Sequence, residues 1–374
     1  MLEKGKISPR QAGELMFITI MATVILFVPA ITSELAGHDA WIASPAGSLF
    51  GLVTVLLVFI LGIRYPGRTI FQYSEDILGR FLGKLVALSF VWFFLHLAAT
   101  VVRQFGDFLT TSFLPETPLS VFNFTLIFLA AIAVLSGLEV IARMNEFIIL
   151  LVVSSLLAIF SLSISIWEIE NLFPVFASGI IPIARGAIVP AAWHGEIVAL
   201  AVIMPFLTRP RGALVSGAAA VLGSTALLTT ALIAVQSVFG PDFTASMHFP
   251  IHLFVRSINI GRILTRFEVV IMIIWVAGVF IKTSVFYYCA ALGIAQVFGL
   301  SEYRPVVLSL GLIIAVFSIT LYSDVAELAH FLRDAWPVYS ISMYSLGLPL
   351  LLLSVSLVRG KLSGEAQGKD KQDG

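Results

Sequence analysis

Glu196 is a carboxylate in the middle of an otherwise apolar segment, Gly186 to Leu207, with Pro190 and Gly195 beside it. A charge at that depth in a membrane costs about 3 kcal/mol or more unless it meets a partner or a wet cavity. Proline and glycine there disturb the helix, and hydrocarbon tolerates the freed backbone groups only where they line a cavity. The combination predicts a ligand or ion site at mid-membrane depth. At about 1.5 Å per helical residue, Thr23 in the first apolar segment, Glu196 in the sixth and Lys282 in the eighth all fall within ~5 Å of the mid-plane. A hydroxyl, a carboxylate and an ammonium at one depth can hold a zwitterion such as an amino acid. Free helix N–H groups would take its carboxylate. Unwound carbonyls, with Glu196, would take its amine, and Thr23, Val24 and Ile25 are the ligand-binding candidates of the first segment. The plainer alternative is that Glu196 and Lys282 pair with each other and hold the bundle together.

Other side chains could join them. Lys282, Thr283 and Ser284 form a polar run within an apolar segment. Its hydroxyls either ligate a small cation or bond back to carbonyls one turn earlier, and the Lys282 ammonium could stand in for a sodium ion. Arg103 and Asp107 are four residues apart, so they share a helix face as an ion pair or an outer gate. Thr100 and His96 continue that stripe one and two turns deeper, towards the expected interior, although a lone histidine on an apolar face is commonly a satisfied core residue. Trp193 and His194, with Gly195, would wall a small pocket. Enzyme signatures are missing: there is no H-E-x-x-H pair, no phosphate-binding glycine loop and no G-x-S-x-G elbow. No catalytic role, metal or cofactor is expected.

These residues need elements to position them. The chain is 59% apolar and 12% charged, with a mean hydropathy of +1.02, against about 25% charged in soluble domains. Charges cluster between apolar runs long enough to span a bilayer, so the fold class is an all-α polytopic membrane protein. Twenty-two basic residues balance twenty-two acidic ones, so no net field favours nucleic acid. The single cysteine, Cys289, rules out a disulfide framework. Ten helices are predicted, at residues 12–34, 45–63, 83–112, 119–137, 145–168, 186–208, 211–238, 264–298, 303–322 and 336–358. The polar stretch Gln72 to Arg80 reads as a surface helix and His248 to Ile260 as a short helix over the outer mouth. Segment 1–11 is a short tail, 169–185 an outer connection, and 359–374 a disordered tail.

Orientation follows the Lys/Arg excess. One face collects Lys4, Lys6, Arg10, Arg64, Arg68, Arg80, Lys84, Arg143, Arg209, Arg211, Arg304, Arg359, Lys361, Lys369 and Lys371; the other has only Arg185, Arg256, Arg262, Arg266 and Arg333. Both termini are therefore expected in the cytoplasm. Pro29 interrupts the first segment as Pro190 and Gly195 interrupt the sixth, five helices apart. Broken segments at matching positions point to two inverted five-helix repeats, 12–168 and 186–358, with a site at their interface.

Several stretches together carry a resemblance: Ile7-Ser-Pro-Arg-Gln11, Ile25-Leu-Phe-Val-Pro29, Arg64-Tyr-Pro-Gly-Arg68, Tyr73-Ser-Glu-Asp-Ile-Leu-Gly79, Leu114-Pro-Glu-Thr-Pro118, Gly137-Leu-Glu-Val-Ile-Ala-Arg143, Asn171-Leu-Phe-Pro-Val-Phe176 and Gly195-Glu196. The chain resembles the B-subunit (GerAB) family of endospore germinant receptors over about residues 5–358. That resemblance implies the amino acid/polyamine/organocation (APC) transporter fold, with a LeuT-like five-plus-five repeat and broken helices 1 and 6. It also implies the spore inner membrane, A-type and lipoprotein C-type partner subunits, and a small germinant, commonly an amino acid, held between the first and sixth helices with the third and eighth around it. Relatives often carry glycine before the first-helix threonine, where this chain has Ala22. A secondary amino-acid transporter driven by protons or sodium, and a ligand-gated ion or water conduit, are the competing functions.

Overall fold

In a computed structural model the chain is described at Glu3 and over residues 5–258 and 267–370. Its helices, in order, are α1 (Pro9–Ala36), α2 (Ala40–Arg64), α3 (Ile70–Leu78), α4 (Arg80–Ser112), α5 (Leu119–Ser136), α6 (Leu138–Ser163), α7 (Ile180–His194), α8 (Leu200–Ile203), α9 (Ala213–Phe239), α10 (Pro241–Ser246), α11 (Pro250–Ser257), α12 (Phe267–Phe298), α13 (Arg304–Thr320), α14 (Val325–His330), α15 (Trp336–Tyr339) and α16 (Gly347–Asp370). Among the described residues the only extended pairing is an isolated bridge between Ile7 and Leu207. Among the described residues eight helical runs are long and apolar enough to cross a membrane; the first, Pro9–Arg64, contains both α1 and α2, and α13 is slightly shorter than the rest.

α1 is the central column. Ser8 and Gln11 cap its start reciprocally, side chain to backbone, at 3.1 and 2.8 Å, with Pro9 at the first helical position. It ends at Gly37, whose φ of +57° suits glycine. Every residue from Leu15 to Ser33 is buried, the pattern of a helix enclosed on all sides. The outer helices differ: Phe128, Phe147 and Leu150 of α5 and α6 are 64, 73 and 70% exposed, apolar surface that lipid would cover. α2 packs tightly on α7 because it carries glycines at the contact. A Cβ at Gly47 would come within 2.6 Å of the Ala187 carbonyl, and one at Gly51 within 2.7 Å of His194 Cβ.

The two expected interruptions turn out differently. In the sixth span α7 stops at His194, a 3-10 segment runs from Gly195 to Ala199, α8 is a single turn, and Met204–Phe206 is again 3-10. The backbone there is overwound rather than opened. The first span has no break: α1 runs on through Pro29. A proline deletes one backbone donor, and the helix continues through that loss with close packing on every side. The last span carries a discontinuity that sequence reading missed, with π-helical stretches at Phe331–Ala335 and Ser340–Ser345 flanking α15.

Glu3, Ile7 and Gly360, near the two ends of the described chain, lie on one face. Glu3 accepts from the Leu138 N–H at 3.3 Å at the start of α6, Ile7 pairs with Phe206 and Thr208, and Gly360 lies beside Arg64. The expected surface helix at Gln72 to Arg80 is α3, beginning slightly earlier, and the expected cap at His248 to Ile260 is α11, with residues 259 and 260 outside the described residues. Met1, Leu2, Lys4, Arg262, Arg266 and Lys371 also lie outside them. The segment from Arg359, expected to be disordered, continues α16 as far as Asp370; Lys361, Glu365 and Ala366 there are good helix formers.

Candidate functional site

Three spans converge at mid-depth. Lys282 Nζ, from α12, donates to Glu196 Oε2 at 2.7 Å and to Thr23 Oγ1 at 2.7 Å. Trp193 Nε1, at the end of α7, donates to the same Thr23 hydroxyl at 3.0 Å. Thr23, Glu196, Lys282 and Trp193 are all buried. Glu196 is the second residue of the 3-10 segment, so the change in winding and the charge coincide. Lys282 also stands 5.7 Å from the centre of the Phe286 ring, a favourable place for a cation. Among the described residues, Glu196 Oε1 accepts no hydrogen bond and Lys282 donates only these two. The ion pair is thus closed on itself yet keeps one acceptor and one donor open.

Glycine makes this arrangement possible. A Cβ at Gly195 would lie 2.2 Å from Ser345 Oγ and 2.8 Å from Ser345 Cβ. The second π-helical stretch therefore rests directly on the 3-10 segment. Ser340 Oγ, from the same stretch, donates to the Ala192 carbonyl at 3.2 Å. An aromatic wall stands above: Trp193 meets Trp336 edge-on at 6.0 Å, and Phe93 of α4 stacks on Tyr344 at 4.2 Å and on Trp336 at 6.0 Å. Two turns before Lys282 on α12, Trp275 Nε1 donates to the Ala22 carbonyl at 2.5 Å, one residue before Thr23. Ser340, Ser345, Trp336 and Trp275 were not singled out by sequence. The cue was hydroxyls recurring in an apolar span, which mark close helix contacts in membranes.

The remaining candidates sort themselves by partner. His96 and Thr100 do not reach Glu196. Both bond to the Tyr322 hydroxyl, at 3.3 and 3.2 Å, and the His96 ring stacks on Trp92. Their stripe faces α13 and the last span rather than α1. Arg103 pairs with Asp107 at 2.8 Å, with both side chains buried. It also donates to the carbonyls of Ile319 and Tyr322, tying α4 to the end of α13. Ser284 Oγ donates back to the Phe280 carbonyl at 2.7 Å, the back-bonding arrangement of hydroxyls in helices. Thr283 is buried with its hydroxyl unpartnered among the described residues. His194 lies against Pro190 O and Thr225 Oγ1 at 2.7 and 3.0 Å, facing α9 as a satisfied core group. Val24 is buried, and Ile25 lines an apolar cavity behind α1, with Ala22 and Trp275, rather than the polar centre. Outside the membrane, the Glu327 N–H bonds Asp324 Oδ1 at 2.8 Å and holds that carboxyl below its ordinary range.

Comparison with known proteins bears on what such a centre serves. The family model for spore germination proteins of the spore permease type matches residues 6–325. Spore germination protein KB of Bacillus subtilis (strain 168) is 29% identical, the match covering 99% of each chain. Spore germination protein YndE of the same organism is 28% identical over 94% of this chain and 96% of its own. Among solved structures, MhsT in complex with L-phenylalanine superposes with a TM-score of 0.67 at 13% identity, covering 95% of this chain and 99% of that one. A Na+-coupled sialic acid symporter superposes at 0.63 and 14% identity, over 92% of this chain and 79% of that one. At such identities the likeness is one of fold, and the fold is that of LeuT-type transporters. With its match running over most of its length, this multi-pass membrane chain belongs to the spore germination protein family.

Proposed function

We propose that the chain is the germinant-sensing membrane subunit of a spore germination receptor, and that its ligand is a small zwitterion, an amino acid, bound where Thr23, Glu196 and Lys282 meet. The observation that carries this reading is the buried ion pair across the sixth and eighth spans, bonded through Thr23 to the first. A zwitterion is net neutral, so inserting it would give each buried charge a new partner without leaving one unpaired. The overwound sixth span and the π-helical last span are the irregular backbone that binding could reorganise. The excess of Lys and Arg on the terminal face supports cytoplasmic termini, and family membership supports the spore inner membrane and A-type and C-type subunits as partners.

A thermal-shift screen of the purified protein against amino acids, nucleosides and sugars tests the ligand class. An amino acid is expected to raise the melting temperature; stabilisation by a nucleoside or sugar alone would overturn the zwitterion reading. Accumulation of labelled amino acid against a gradient in liposomes would replace sensing with transport.

A further inference from the structure

Above the polar centre, on the face away from the termini, a vestibule of about 150 Å³ opens between α1 and the last span. Glu34 and Arg333 meet across its rim at 2.7 Å, and Phe27 of α1 lines it. Phe27 is one turn beyond Thr23, and Arg333 is three residues before Trp336. Going inwards from that rim, the two walls lead to Trp336 on one side and Thr23 on the other. The Trp336 ring lies 6.0 Å from Trp193, whose indole N–H holds the Thr23 hydroxyl.

Trp336 is unusual on three counts. It is one of the largest fully enclosed side chains, at 2% exposure. Its own Nε1–H has no acceptor among the described residues, a cost that a buried donor bears without return in this conformation. It also sits between two π-helical stretches, the kind of helix irregularity that clusters at functional sites. A bulky, unbonded ring on irregular backbone, between a vestibule and a closed polar centre, is poorly explained as core packing alone.

We propose that Trp336 is a specificity-determining residue: its indole fills the space that the side chain of a bound molecule takes, and so sets the size of what reaches Thr23 from the vestibule. The inference rests on the Thr23–Glu196–Lys282 centre being the ligand site, and deepens that reading by naming the wall that limits the ligand. A ligand with an acceptor on its side group would also satisfy the Trp336 N–H.

The test needs no ligand. In a full-length chain with Cys289→Ser and Thr23→Cys, the new thiol is titrated with methyl and benzyl methanethiosulfonate, each forming a mixed disulfide and releasing methanesulfinate. With Trp336 in place, the methyl reagent reacts slowly and the benzyl reagent is excluded. Trp336→Phe admits the methyl reagent faster and still excludes the benzyl one. Trp336→Ala admits both, at rates raised by at least about tenfold, because local access and not global unfolding limits the reaction. Trp336→Leu, read the same way, serves if the alanine variant does not fold. Unchanged rates in the alanine or leucine variant overturn the proposal, as does equal acceleration of both reagents in every variant, which is loosening without size selection. Either failure leaves the amino-acid reading to be judged by its own thermal-shift test.

Discussion

Among the described residues two buried ion pairs lie in this bundle, and they do different things. Arg103 and Asp107 sit on one helix, four residues apart, with the guanidinium also held by carbonyls at the end of α13. Their charges are committed within a fixed element, so the pair works as a brace. Glu196 and Lys282 belong to different spans, Lys282 also bonds Thr23 on a third, and Glu196 sits where the backbone changes its winding. A relative shift of those spans would separate them. Burial of charge is common to both, so burial alone does not mark a site. What distinguishes the second pair is that its partners lie on separable elements and that each charge keeps a bonding position open.

That contrast breaks if the two pairs respond alike to mutation. The largest effect is expected from Glu196→Gln, which leaves the Lys282 ammonium unmatched; losing one member of a buried pair costs about 3–5 kcal/mol. The double change Glu196→Gln with Lys282→Met should recover most of that stability in thermal melts while the ligand-induced shift stays absent. Arg103→Met should destabilise by about 3 kcal/mol for the same reason, yet the ligand-induced shift of the folded protein should persist. Loss of the shift in Arg103→Met would make the brace part of the site.

Smaller effects sharpen the same distinction. Gly195→Ala forces a methyl into Ser345 and should cost about 1–3 kcal/mol through overpacking. Ser345→Gly should restore part of it, since the clash lies between those two residues alone. Full stability in the alanine variant would mean that the sixth and last spans are not seated as described. The smallest effect is at the distal rim. Asp324 is held below the ordinary aspartate range by the Glu327 N–H, so the stability it adds is present above about pH 4, the unfolded value. That contribution is lost as pH falls through the lower folded value. Asp324→Ala should therefore lower the melting temperature slightly at neutral pH and remove this part of its acid dependence, with no change in ligand response.

The polar centre was legible in the sequence because three polar groups in long apolar segments have little freedom: depth is countable, and each must find a partner. Thr23, Glu196 and Lys282 met as counted. The stripe of His96 and Thr100 shows the limit of the method, since helical spacing gives a shared face but not the neighbour it meets; here the face turns to Tyr322. Pro29 shows another. The proline predicts a missing bond, but packing around α1 decides whether the helix opens. The π-helical last span left no trace in hydropathy, because Trp336, Ser340 and Ser345 read as ordinary occupants of an apolar segment until Gly195 is seen pressed against them. Trp275 was silent for a related reason: its acceptor is a backbone carbonyl, which no side-chain pattern announces.

The most direct test of the central claim is the ligand-induced thermal shift of the purified double variant, Glu196→Gln with Lys282→Met, measured beside wild type and Arg103→Met with whichever amino acid stabilises the wild type most. The shift should vanish in the double variant although its unliganded melting temperature stays near that of wild type, and it should survive in Arg103→Met. A double variant stabilised as strongly as wild type would show that the ligand binds elsewhere.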